Sequence, residues 1–172
     1  MWTPVPRGAD STARERRYGE IYERLVLFLA DETDLVAAMA TVACELHHGF
    51  EGFDWTGFYR VDRPGWLVVG PYQGGHGCLR IPFDRGVCGA VARTEEALCV
   101  EDVRAFPGHI ACSSSTRSEV VVPVFGGGSI LLGVLDVDSD DLAFFGEPDL
   151  RGLTRICDLF CRTWAESGGV RV

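Results

Sequence analysis

Cys78, Cys88 and Cys112 fall, together with Cys99, within one stretch built largely of loop-forming residues, GCLRIPFDRGVCGAVARTEEALCVEDVRAFPGHIAC (77–112). A thiolate is a strong nucleophile, and a second thiol nearby can resolve its oxidised product as a disulfide. On a surface punctuated by Gly and Pro, such thiols are open to a substrate, to one another and to a reductant. Cys112 is the leading nucleophile candidate, because it follows Gly108-His109 and precedes four hydroxyl residues, Ser113 to Thr116. Cys78 and Cys88 are candidates to resolve it, and His109 is a candidate to assist. The competing reading is that all three are packing cysteines, since buried free cysteine is common.

Two further constellations accompany the thiols. Asp136 and Asp138 alternate at the end of an apolar run, LLGVLDVDSD. On a strand, residues two apart point the same way, so both carboxylates face one side of a sheet. Glu119 opens the preceding apolar run and comes near both if the two strands pair across Gly126–Gly128. Three carboxylates at one sheet end can hold an ammonium group, or raise one another's pKa until one works as an acid. The plainer reading is that acidic residues at strand ends solubilise a loop. Trp55 and Tyr59, four apart in Trp-Thr-Gly-Phe-Tyr, share a strand face and either wall a small apolar pocket or belong to the core.

A zinc site is a weaker reading. His76, Cys78, Cys88, His109 and Cys112 would be its ligand pool, but no Cys-x-x-Cys or His-x₃-His pair is present, so no metal is expected. Cys157 and Cys161 are four apart on an apolar helical stripe and read as core.

The bulk numbers narrow the class. A chain of 172 residues, 47% apolar, suffices for one domain with a sizeable core. Net charge is −9, from 25 acidic against 16 basic residues, and every basic residue is arginine. That balance argues against nucleic acid and anionic membranes as partners. The N-terminus lacks the apolar core of a secretory signal, and no run approaches the roughly 18 apolar residues of a membrane span. A cytoplasmic location is expected, where thiols stay reduced and an odd count of seven cysteines is no disulfide framework.

The elements that must position these groups follow from periodicity. Residues 1–16 read as a polar tail or a loose helix start, and the domain proper as 17–168. Tyr18, Ile21, Tyr22, Leu25, Val26 and Leu29 keep helical spacing, and a second helix starts near Asp34 as N-cap. Strands are expected over 53–61, 66–72, 78–81, 97–100, 119–125 and 130–138, with a short helix over 86–93 and an exposed loop over 101–118. The last helix is expected over 147–165, with Leu150, Leu153, Cys157, Phe160, Cys161 and Trp164 on its apolar face. Helices at both ends and hairpin-linked strands between them predict an α+β domain. Its mostly antiparallel sheet would carry terminal helices on one face and loops on the other.

The strings WTGFYRV (55–61), GPYQG (70–74), CLRIPFDRGVCGA (78–90), VEDVRAFPGHIAC (100–112), SEVVVPV (118–124) and GVLDVDSD (133–140) resemble the free methionine-(R)-sulfoxide reductases, which are stand-alone GAF domains. The resemblance covers about residues 20–165, and the Phe-Pro-Gly-His-Ile-Ala-Cys string with two upstream cysteines is its specific part. It implies thiol-dependent reduction of free L-methionine (R)-S-oxide with no bound cofactor. Cys112 would be left as a sulfenic acid, Cys78 would resolve it to a disulfide, and a thioredoxin-type dithiol would recycle the enzyme. Cys88 maps onto the family's third cysteine. Glu119, Asp136 and Asp138 map onto its acidic cluster, which would hold the ammonium group and protonate the sulfoxide oxygen. Trp55 and Tyr59 map onto the wall for the S-methyl group. A homodimer is implied, with the helix over 17–31 available for its interface. The chain departs from the family at Ser113, where an acidic residue usually follows the nucleophile; losing that charge eases ionisation of Cys112. Two other uses of the scaffold compete, a GAF small-molecule sensor and a thiol redox sensor without turnover.

Overall fold

Helix α1, Ser11–Phe28, buries Tyr18, Ile21 and Leu25 along one stripe, in the computed structural model that describes residues 3–163. It starts earlier than its apolar spacing suggests. The Asp10 side chain accepts from Ala13 N at 2.8 Å and caps the helix, Arg14 turns inward onto Asp149, and Val5 forms a parallel bridge with Phe50. Val5 and Arg14 thus tie residues 3–16 to the packed body, while most other side chains of the segment stay exposed, and residues 11–16 are the start of a helix. A charged residue reads as solvated until its partner, distant in sequence, is known. Helix α2, Leu35–Gly49, begins as expected at Asp34, which caps Ala37 N at 2.9 Å.

Strands β1 (Trp55–Arg63) and β2 (Trp66–Gln73) form a hairpin across Pro64-Gly65. Next come β3 (Arg80–Pro82), helix α3 (Gly86–Thr94) and β4 (Leu98–Val100). Strands β5 (Ser118–Phe125) and β6 (Leu131–Ser139) and helix α4 (Glu147–Thr163) complete the described chain. The expected end of the last helix at Ala165, and Trp164 on its face, lie outside the described residues. The segment 101–118 is less open than expected. It contains a 3₁₀ turn over Val103–Ala105, and Val103, Thr116 and Ser118 are buried.

The strands form one six-stranded sheet in the order β3-β2-β1-β6-β5-β4, with every pairing antiparallel. The sheet is central to the α+β fold, as the element order predicts. Side chains alternate between its faces. Phe58, Val120, Val122, Val124, Leu135 and Val137 point to one side and pack with Ile21, Leu46, Leu153 and Phe160 of α1, α2 and α4. The opposite side carries Trp55, Tyr59, Val121 and Val134 against α3 and the loops. The sequence reading put only loops on this second face; α3 is an addition to it. No helix among the described residues is long and apolar enough to cross a membrane.

Candidate active site

The β1–β6–β5 register stacks the chemistry on one face. Trp55 lies opposite Asp138, and Asp138 opposite Glu119. One pleat further along, Gly57 faces Asp136 and Asp136 faces Val121. Tyr59 follows, opposite Val134. The expected pairing of the last two strands across Gly126–Gly128, with Glu119 beside Asp138, is thus present. Trp55, Tyr59, Cys88, Cys112, Glu119, Asp136 and Asp138 line a single small cavity of about 40 Å³ with the disulfide closed.

Its aromatic wall depends on a glycine. The indole of Trp55 lies between Tyr59 and Tyr72, with ring centroids 5.6 and 5.3 Å away in stacked geometry. A Cβ on Gly57 would fall 2.6 Å from the indole edge and 2.3 Å from Tyr72 Cβ, so any larger residue displaces the ring. The indole N–H donates to Gly75 O at 3.1 Å, which ties the wall to the glycine-rich loop before Cys78. Tyr72 is the aromatic that the sequence reading missed. It sits in the quoted string GPYQG, but its stacking is visible only once β2 is paired with β1.

The thiols occupy two settings. Cys78 and Cys112 are joined in a disulfide with Cα atoms 5.1 Å apart. Cys78 precedes β3 and Cys112 lies in the loop after β4, at opposite edges of the strand order, so the bond joins two segments on the Trp55–Tyr59 face, with Cys112 in the cavity lining. Gly86, at φ +70°, starts α3 and donates its N–H to Gly108 O at 3.0 Å, anchoring the loop that carries Cys112. Cys88 is different, and corrects the expectation that all three thiols are accessible. It is buried on the inner side of α3, its thiol 3.7 Å from a Glu119 oxygen. Periodicity over so short a helix does not reveal which side faces inward. Cys44, on α2, is exposed.

Burial dominates the electrostatics. It raises the Glu119, Asp136 and Asp138 carboxyls well above the carboxylate range, and their mutual charges push the same way. Burial, then the Asp136 charge, also lifts the Cys88 thiol and the Tyr59 phenol, so both keep their protons near neutrality. These groups form a store of protons in a dry recess. Asp136 Oδ1 is buried with no hydrogen-bond partner. Burial lowers His109, leaving a neutral imidazole at the pocket rim. Thr116, buried in the same lining, was seen in the sequence only as part of a polar run.

The five residues pooled as a zinc set do not act as one, because Cys78 and Cys112 are spent on each other. Among the described residues, the metal-ligating types that converge are Cys88, Glu119 and Asp136 instead.

Comparison with known proteins now adds a family. The GAF domain profile matches residues 30–160. GAF domain-containing protein A of Dictyostelium discoideum is 44% identical, over 86% of this chain and 92% of its own. A free methionine-R-sulfoxide reductase of Escherichia coli is 36% identical, over 81% of this chain and 83% of its own. Among solved structures, the free methionine-R-sulfoxide reductase of Neisseria meningitidis in complex with its substrate superposes with TM-score 0.83. It is 41% identical and covers 95% of this chain and 96% of that one.

Proposed function

For a chain that belongs to the free methionine-(R)-sulfoxide reductases, within the GAF family, we propose that it reduces free L-methionine (R)-S-oxide to methionine at the pocket described above. The observation that carries the reading is the Cys78–Cys112 disulfide beside a pocket lined by the buried Glu119 and Asp136, the half-buried Asp138 and a stacked aromatic wall. Neither a nucleotide-binding cleft nor an inert core calls for that combination.

In the first step the reduced Cys112 thiol attacks the sulfoxide sulfur. The S–O bond of the substrate breaks, the oxygen is left on Cys112 as a sulfenic acid, and methionine departs reduced by two electrons. The charge that grows on the sulfoxide oxygen needs a proton, and Glu119, Asp136 and Asp138 are held in the form that donates one. The same carboxyls are placed to accept hydrogen bonds from the substrate ammonium group. Trp55 and Tyr59 offer an apolar face to the S-methyl group. In the second step the Cys78 thiol displaces the hydroxyl of the sulfenic acid as water and closes the disulfide. An external dithiol protein of the thioredoxin type then opens it by exchange. Cys78, partly exposed at the mouth, suits the resolving role better than Cys88, whose thiol is buried and pushed up in pKa. The cycle needs a supply of dithiol reductants, with which a cytoplasmic location accords, and a homodimer through α1 accords with the exposed Val26, Leu27 and Phe28 on that helix.

The test is single-turnover methionine release from reduced protein offered each sulfoxide epimer separately, with Cys112→Ser alongside. Release from the R epimer alone, abolished by the substitution, is expected. No release from either epimer, with thiols verified as reduced, would overturn the reading in favour of a sensor.

A further inference from the structure

Cys88 takes no covalent part in the cycle proposed above, yet its placement is specific. Its Sγ, a Glu119 oxygen and an Asp136 oxygen all lie within 4.8 Å of one another. The residues are 3%, 6% and 5% exposed, and come from α3, β5 and β6. Asp136 also turns a buried oxygen, Oδ1, to no hydrogen-bond partner, an arrangement that costs free energy unless something fills it. We propose that Cys88, Glu119 and Asp136 form a binding site for one thiophilic divalent cation of the zinc class.

The donor set selects the ion. One thiolate and two carboxylates match a tetrahedral ion with sulfur at about 2.3 Å and oxygen at about 2.0–2.2 Å. Ligand atoms of such an ion are about 3.3–3.8 Å apart, so the trio needs only slight inward closure. Calcium takes six to eight oxygens and magnesium an octahedral shell of them, and neither favours sulfur. On binding, the Cys88 thiol and the Glu119 and Asp136 carboxyls give up their protons to solvent, and the ion's two positive charges sit among three negative ligands. No electron moves. The fourth position faces the cavity and is left to water. Because the proposed ammonium subsite uses the same carboxylates, the ion and the substrate compete; this consequence alone rests on the reductase reading.

The disulfide makes the test clean, since Cys88 stays free while Cys78 and Cys112 are bonded. Oxidised, metal-free full-length protein is titrated with Co²⁺, following thiolate-to-cobalt charge transfer in the near ultraviolet and the visible bands of tetrahedral cobalt. One equivalent giving both signals is expected, with the charge-transfer band lost in Cys88→Ser. Asp136→Asn, an isosteric change that keeps the thiol, should weaken binding by at least about tenfold, the lower end of what losing even an outer-shell partner costs. Circular dichroism establishes that each variant is folded; should Cys88→Ser fail to fold, the Asp136→Asn titration decides. Absence of the band in the wild type, its persistence in Cys88→Ser (which would assign it to another free cysteine), or unchanged affinity in Asp136→Asn overturns the proposal. The band without turnover of the R epimer would leave the metal site standing and remove the reductase reading.

Discussion

Two buried aspartates on opposite sides of one sheet receive opposite treatment. Asp149, at the start of α4, is saturated: Oδ1 accepts from Arg14 Nε at 2.9 Å, Arg14 Nη2 at 2.6 Å and the Tyr18 hydroxyl at 2.8 Å, while Oδ2 accepts from Gly146 N at 2.9 Å. Asp136, on β6, has one oxygen with no partner and two acidic residues and a thiol for neighbours. A buried charge with every lone pair filled locks a fold in place. One left short of partners, among like charges, keeps its proton and can give it away. The difference separates the two faces: the side covered by α1, α2 and α4 holds the fold together, and the other side gathers the crowded carboxyls and the thiols.

Cys112→Ser should lower turnover of the R epimer by at least about a thousandfold, whereas Cys157→Ser, on the helix side, should leave turnover unchanged in a steady-state assay. Comparable losses from both would show that the faces are not separate.

Removing one partner of the saturated pair comes next. Arg14→Ala should cost about 3–5 kcal/mol of stability in urea unfolding, as for other broken buried pairs, with kcat per folded molecule unaltered. Asp136→Asn should do the reverse, lowering kcat/KM by about a hundredfold, the scale of a lost general acid, while Tm stays level or rises. A fall in Tm with activity intact would assign Asp136 a structural role.

The pH dependence sharpens the same contrast. With Glu119 and Asp136 raised in the folded protein, the native state holds protons that the unfolded chain has already released. Upward from the unfolded carboxyl value, about 4, the native state binds more protons and this contribution to stability falls as pH rises. Thermal unfolding of the wild type should therefore lose more stability between about pH 4 and 7 than that of a Glu119→Gln, Asp136→Asn double variant. Parallel curves would mean that the carboxyls ionise as ordinary ones. The smallest effect is expected at the outer ring of the aromatic stack. Tyr72→Leu should raise KM by about two- to tenfold, the value of one aromatic pair, without changing kcat.

Much of the site was legible along the chain. The alternation in LLGVLDVDSD aligns Asp136 and Asp138 on one face, and the Gly126–Gly128 connection brings Glu119 beside Asp138, because strand pleat and hairpin register are local properties. The helix capped by Asp34 was legible for the same reason. Arg14 was not: its inward turn depends on Asp149, a partner 135 residues away.

By itself, then, the order of residues determined the elements, the family, the face shared by the three carboxyls and the cluster of thiols. Only the tertiary structure decided that Cys88 is buried beneath Glu119 while Cys78 and Cys112 meet above the pocket, that Tyr72 completes the stack, and that the N-terminal segment packs into the body. The physical reason is range. Periodicity and capping act over a few neighbouring residues, whereas burial, charge crowding and thiol pairing depend on which distant segments the sheet order β3-β2-β1-β6-β5-β4 brings to one face.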